Sequence, residues 1–196
     1  RAFLDAGATV VGVGSALVGM TTEDMAEYFQ ALQRDLERDS NRAESLVRYD
    51  IDMQFRPVTL VKTERVCEDI AILTFDRKIN VQAGEFIFLW VPGVGEKPFS
   101  ALTDDPFSLA VIDVGQFTHA LMDLPPGTEA YVRGPHGIPV NPAEDSRIIA
   151  VAGGTGLAAV YQIARDFGNA EIFAGARAAE RLYYLDECRE IAEVHL

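Results

Sequence analysis

The sequence predicts a mixed β and α/β protein: a small antiparallel β-barrel, then the opening half of a doubly wound domain, with a strand–helix piece ahead of both. Three observations carry this. Residues 51–142 break into short alternating apolar runs divided by Gly- and Pro-containing turns. Residues 146–196 repeat a longer unit, apolar strand then amphipathic helix, twice over. Residues 1–48 pair one β-branched apolar run with one helical pattern and close on a polar stretch.

In chain order, "TVVGVGS" (Thr9–Ser15) is apolar on both faces, as a buried parallel strand requires. Thr21 and Thr22 before Glu23 and Asp24 signal a helix start, and "MAEYFQALQRDLERD" continues at helical spacing. "DSNRAES" reads as a linker. The runs "RPVTLVKTERV", "IAILTFDR", "EFIFLWV", "FSLAVID" and "EAYVRGP" are the expected barrel strands, with "FTHALMDL" as an inserted helix. "SRIIAVAGGTG" is a strand running into glycines, and "LAAVYQIARDFG" a helix stopped by Gly168. "AEIFAGAR" and "ERLYYLDECREIAE" repeat strand and helix, giving half of a doubly wound nucleotide-binding fold. The final "EVHL" reads as the start of another strand, and both ends read as cut from a longer chain.

Composition narrows the function classes. The 196 residues carry 30 acidic against 17 basic side chains, a net charge of −13 that repels nucleic acid and anionic membrane. A phosphate-bearing ligand then needs local help from backbone N–H groups or a placed cation. Two cysteines, Cys67 and Cys188, fit neither a disulfide framework nor a metal spacing, which points to a reducing, cytoplasmic setting. The most apolar run, Ala8 to Met20, is too short to span a bilayer and lacks the pattern of a signal peptide.

Four motifs are candidates for chemistry, each with a plain alternative. "AVAGGTGLAAV" sets Gly153, Gly154 and Gly156 around Thr155 between a strand and a helix, where a pyrophosphate can approach the helix N-terminus; the alternative is a close-packed turn. "GEKPFSAL" offers a cation at Lys97, a rigid Pro98 and a hydroxyl at Ser100 for an anionic planar cofactor, with Phe99 on the other face of the pleat; the alternative is an edge strand. "DVGQFTHAL" places Gly115, Phe117 and Thr118 at a helix start, for capping or for phosphate. "VGVGSALVG" has the form of a phosphate-binding turn at Gly14 and Ser15, or of small residues in a buried strand. His136 in "VRGPHG" has no partner residues for a triad or metal site and reads as a turn side chain. "PFS" recurs at 98–100 and 106–108, but in different contexts, and the repeat is coincidental.

The order "AGEFIFLWVP", "KPFS", "GQFTHAL", "RGPHG", "AVAGGTGLA", "GARAAERLYYLDE" makes residues 52–196 resemble the ferredoxin-reductase-like family, most of all the electron-transfer subunits of dihydroorotate dehydrogenases. Residues 1–38 resemble the C-terminal end of the catalytic (β/α)8 barrel of the same enzymes, so the chain resembles part of a fusion of both. The resemblance implies three parts: a (β/α)8-barrel remnant with linker at 1–48, an FAD-binding β-barrel at 51–142, and the first half of an NAD-binding domain at 146–196. It implies that Lys97, Pro98, Phe99 and Ser100 form the flavin motif, that Val111 and Ile112 face the flavin through backbone groups, and that Gly115, Phe117 and Thr118 take the FAD pyrophosphate. Gly153, Gly154, Thr155 and Gly156 would receive the nicotinamide nucleotide, with Gly175 and Arg177 closing that site. Gly14 and Ser15 would touch FMN in the intact protein, which would also hold a 2Fe–2S cluster. The implied partner is the dihydroorotate-oxidising barrel, in the same chain or another subunit, within an oligomer.

The chain departs from the family pattern in places. Arginine is usual where Lys97 stands, and lysine cannot make the bidentate phosphate fork. The glycine turn lacks the proline that commonly follows it, and the cluster's four cysteines are missing. Rival readings are a diaphorase-like subunit of a hydrogenase or sulfide dehydrogenase, a flavin-free interaction domain, and, for residues 1–38, a sugar-acid aldolase barrel.

Overall fold

Alternation decides the barrel. In β3 (Glu85–Val91), Ile87, Leu89 and Val91 are buried while Phe86, Phe88 and Trp90 stay half-exposed. One pleat face therefore fills the interior, and the other forms an outer aromatic row. The computed structural model describes residues 54–143 and 146–196, with Thr21, Glu23, Asp24, Glu27 and Gln30. The chain divides into two compact units, Arg1–Asp50 and Ile51–Leu196.

Of the first unit, Glu23, Asp24, Glu27 and Gln30 are helical. Thr21 Oγ1 accepts from the Asp24 amide at 3.1 Å, and the Asp24 carboxylate accepts from the Thr21 amide at 3.3 Å. This is the reciprocal cap that the two threonines announce. The strand Thr9–Ser15, with Gly14 and Ser15, and the rest of the expected (β/α)8-barrel remnant lie outside the described residues.

In the second unit, β1 (Arg56–Cys67), β2 (Ile70–Phe75), β3, β4 (Gly95–Phe99), β5 (Ala101–Asp104), β6 (Phe107–Ile112) and β7 (Glu129–Gly137) form one seven-stranded sheet. Its order is β4-β3-β7-β1-β2-β6-β5, and every pairing is antiparallel. The two outermost strands, β4 and β5, are consecutive in the chain and separated only by Ser100. Residues 95–104 thus close the sheet on itself, and closure leaves few free edges. Irregular registers in β1, β3 and β5 supply the extra curvature that a small barrel needs. Val58, Leu60, Leu73, Phe75, Ile87, Leu89, Phe107, Leu109 and Val132 are at most 2% exposed in the interior. Each such side chain stabilises the fold by about 1.5–3 kcal/mol. Helix α1 (Gln116–Met122) plugs one end through Phe117, Leu121 and Met122.

The α/β part follows: β8 (Ile148–Gly153), α2 (Gly156–Phe167), β9 (Ala170–Gly175), a 3-10 turn (Ala179–Arg181), α3 (Leu185–Ile191) and β10 (Glu193–His195). Its three strands are parallel in the order β10-β9-β8. Small residues (Ala150, Ala152, Ala170 and Ala174) line the face that meets Leu157, Ala158 and Ala164 of α2. A second core joins this layer to the outer face of the barrel through Ile70, Leu102 and Ala110. Arg165 reaches Asp104 of β5 at 2.8 Å, and Arg181 pairs with Asp69 across the same junction.

Three local readings are corrected. The helix expected over residues 180–193 is a 3-10 turn, an extended step and then a short α3. Tyr183 is drawn into the core, 3% exposed, and Tyr184 turns left-handed at φ 59°, so no continuous helix passes through them. Strand alternation also places Phe99 on the same side as Lys97, not opposite it, because they are two residues apart in β4. His136 belongs to β7, where its ring packs between Phe86 and Phe88.

Candidate functional site

Several of the predicted residues of the second unit are neighbours, on the free edge of β6, at the start of α1 and in the turn from β8 to α2. Pairing between β5 and β6 ends at Ala101↔Leu109. Beyond that point β6 keeps β2 on one side, as far as Ile70↔Ile112, and has no ladder partner on the other. Val111 turns its side chain into the barrel core, fully buried, and Ile112 packs on the α/β part. What these two residues leave toward the gap is backbone, on a strand edge without a ladder partner. The break between β4 and β5 at Ser100, where the chain runs on in the same direction, borders the same gap.

Helix α1 is the second of these places. Phe117 is 8% exposed, and its ring centroid lies 6.3 Å from that of Phe99. A Cβ at Gly95, whose φ is +140°, would come within 3.2 Å of the Phe117 ring. Phe99 and Phe117 thus fix β4 against the helix, and any ligand contact by Phe117 is through its backbone. The Thr118 hydroxyl accepts from the amides of Val114 and Gly115 at 3.0 and 3.1 Å and donates to the Gly115 carbonyl at 3.0 Å. It is committed to capping; the first-turn N–H groups are what α1 offers a phosphate.

The third is the turn from β8 to α2. Gly154 has φ +55°, and a Cβ there would sit 3.4 Å from Ile112 Cδ1, so the turn abuts the end of β6. The Gly154 amide donates to the Gly175 carbonyl at 3.4 Å, which ties the tips of β8 and β9 together. From below, the Tyr183 hydroxyl donates to the Thr155 carbonyl at 3.3 Å; burial pushes that phenol's pKa well above its usual range. Thr155 occupies the N-cap of α2 without a side-chain cap bond, and the first turn carries no acidic residue. The positive end of the helix dipole is therefore left for an outside anion.

The glycines separate fold from function. Of the twelve described glycines, eight have positive φ, a backbone reason to be glycine. The other four are Gly115, Gly153, Gly156 and Gly175, and a Cβ on any of them would meet open space or, at Gly153, only an ordinary 3.9 Å contact. Nothing in the fold demands glycine at these four positions. All four are among the residues expected at the nucleotides, Gly115 at the FAD pyrophosphate and the other three at the nicotinamide nucleotide, and each leaves space that a side chain would fill.

Most described arginines are paired. Arg65, Arg133, Arg147, Arg165, Arg181 and Arg189 all hold carboxylates. Lys97 and Arg177 are exposed and hold none among the described residues. In a chain with this excess of acid, an exposed cation that holds no carboxylate is available to an anionic ligand.

The cysteines do not fit a cluster. A 2Fe–2S centre takes four thiolates, and the chain has two cysteines. Cys188 is buried, and burial pushes its thiol up to about 11; Cys67 hydrogen-bonds Asp69 at 3.3 Å. Among the described residues no group of His, Cys, Asp or Glu is placed to hold a metal ion, and no helix is long and apolar enough to cross a membrane. A cavity of 440 Å³ lies elsewhere, near the start of β6, between Thr74, Ser108 and Tyr184. Sequence reasoning missed Tyr183 as the support beneath Thr155, since a tyrosine inside a helical pattern carries no signal of what its hydroxyl will reach.

Comparison with known proteins gives the fold its relatives. No protein-family model matches the chain. It is 37% identical over 142 residues to a protein of Pyrococcus abyssi named "Probable dihydroorotate dehydrogenase B (NAD(+)), electron transfer subunit", covering 71% of this chain and 56% of that one. A Methanocaldococcus jannaschii protein of the same name is 34% identical over 147 residues, covering 72% and 56%. The chain thus spans just over half the length of these relatives. Among solved structures, an NADH-dependent reduced ferredoxin-NADP oxidoreductase superposes with a TM-score of 0.62 at 27% identity, over 70% of this chain and 54% of that one. Ferredoxin-NADP+ reductase from Plasmodium falciparum superposes with a TM-score of 0.63 over 74% and 72%, at 13% identity, which speaks to fold alone. The chain therefore has the ferredoxin-reductase-like fold, an antiparallel barrel followed by an α/β part, and is similar over about seven-tenths of its length to proteins named as electron transfer subunits of dihydroorotate dehydrogenase B.

Proposed function

We propose that this chain is the flavin- and nicotinamide-facing part of an oxidoreductase, holding FAD at the free edge of β6 and NAD(H) at the β8–α2 turn. The four glycines that the fold itself does not require carry this reading. When bound, these cofactors supply the hydride and single-electron chemistry. The chain's own residues bind and orient. Lys97 supplies positive charge, Ser100 a hydroxyl at the strand break, and Val111 and Ile112 backbone groups for a planar ring. The head of α1, at Gly115, Phe117 and Thr118, lies where the FAD diphosphate would run. Gly153, Gly154, Thr155 and Gly156 receive the nicotinamide nucleotide's diphosphate at the N-terminus of α2, with Gly175 and Arg177 at the neighbouring strand tip. No side chain here need act as acid or base.

The finer reading follows the relatives' names. Electrons would pass from dihydroorotate to NAD⁺ in cytoplasmic pyrimidine biosynthesis, through a catalytic barrel partner with FMN at a turn such as Gly14–Ser15. The 2Fe–2S cluster would be held by cysteines that this chain does not contain. Titration of the purified chain with FAD, followed by flavin fluorescence and visible absorption, tests the first step. Saturable binding that NAD(H) perturbs is expected; a protein that stays colourless in excess FAD would overturn the flavin assignment.

A further inference from the structure

We propose that His119 is a pH-sensitive positioning residue, whose protonated ring ties the turn at 113–115 to the far end of α1 and holds that turn in one shape. The imidazole bridges two carboxylates on either side of the helix. Nδ1 lies 2.7 Å from Asp113 Oδ2, just before the N-cap, and Nε2 lies 3.7 Å from Asp123 Oδ2 at the C-cap. A neutral imidazole can keep the hydrogen bond to Asp113 alone; the protonated ring keeps it and adds a charge attraction to Asp123, which at 3.7 Å is an ion pair without a hydrogen bond.

Both ends of this bridge are anchored. The Asp113 amide donates to the Asp69 carbonyl at 2.8 Å, which fixes it to the start of β2. Arg65 of β1 donates to Asp123 at 3.0 Å, to the Met122 carbonyl at 3.4 Å and to the Glu68 carbonyl at 3.3 Å. Between the anchors, the Thr118 hydroxyl holds the amides of Val114 and Gly115. Motion of Asp113 is therefore transmitted to the two residues at the head of the helix.

The charged groups facing His119 are Asp113, Asp123 and Arg65, and Arg65 already pairs with Asp123. The hydrogen bond to Asp113, then the charges of Asp113 and Asp123, raise the imidazole above its usual 6.5; slight desolvation and Arg65 oppose this weakly. A histidine whose folded pKa is raised favours the folded tie below the unfolded pKa. That contribution is lost as pH rises through the raised value. Since His119 is 70% exposed, the effect is modest, about two- to fivefold in an equilibrium constant.

The consequence for flavin rests on the function proposed above; the tie itself does not. In the full chain, the His119 ring proton followed by NMR is expected to titrate above 6.5, and Asp113→Asn to lower that value. Amide exchange at residues 113–116 should speed up as pH rises beyond that expected from intrinsic exchange, and His119→Asn should abolish the excess. FAD affinity should weaken about two- to fivefold between pH 6 and 8.5 in the wild type and stay level in His119→Asn. Titration at or below 6.5, or an unchanged excess in His119→Asn, overturns the tie. If no variant binds FAD at any pH, the flavin reading fails, while ring titration and amide exchange still decide the tie.

Discussion

The barrel and the α/β part treat their apolar residues in opposite ways. The barrel turns one face of every strand inward and encloses it, so Ile87, Leu89 and Leu109 are wholly buried. The three-stranded parallel sheet is covered by α2 on one face, while Ile149, Val151 and Phe173 on the other are 59%, 53% and 40% exposed. An antiparallel sheet is complete with one buried face, whereas a parallel sheet ordinarily buries both. The stability of this chain should accordingly be concentrated in the barrel, and its ligand-facing freedom at the tips of the parallel strands.

The sharpest way to break that contrast is one truncation in each region. Leu109→Ala should lower unfolding free energy by about 2–5 kcal/mol in urea denaturation. Val151→Ala should change it by no more than about 0.5 kcal/mol. Equal losses would mean that the exposed sheet face is covered in solution. The glycines give the next test. Gly95→Ala forces a side chain into left-handed backbone and against Phe117, and should destabilise by about 1–3 kcal/mol. Gly156→Ala enters open space at the start of α2 and should leave melting unchanged or raised, while weakening NAD(H) binding. A Gly156→Ala protein that binds NAD(H) like wild type would remove the argument from the glycines.

One expected effect has the opposite sign. Gln162 of α2 is fully buried, and among the described residues neither its amide nitrogen nor its oxygen has a hydrogen-bond partner. Gln162→Met keeps the length of the side chain and removes both polar groups, so thermal melting should show a gain of about 1 kcal/mol. A loss would mean that the amide holds a polar contact across the junction.

Much of the fold was legible because periodicity is a local property. "EFIFLWV" became β3 residue for residue, and Gly168 ends α2 as its φ of 62° requires. The strand at 101–104 was not separated from the turn beside it, because "ALTD" has no alternation long enough to mark it. Residues 180–193 failed for the opposite reason: the helical pattern was present locally, but burial of Tyr183 against the glycine turn overrode it. Within the site, motif spacing located the glycines and Lys97. It could not say that Thr118 is committed to its own cap or that Val111 offers only backbone.

By itself, then, the sequence determined most of the segments that become strands and helices and where glycines meet helix starts, since those depend on neighbours a few residues apart. Only the tertiary structure decided that residues 95–104 close the barrel, that the glycine turn abuts the end of β6, and that Gly115, Gly153, Gly156 and Gly175 owe nothing to packing among the described residues. Those facts depend on contacts between residues far apart in the chain, which local spacing does not encode.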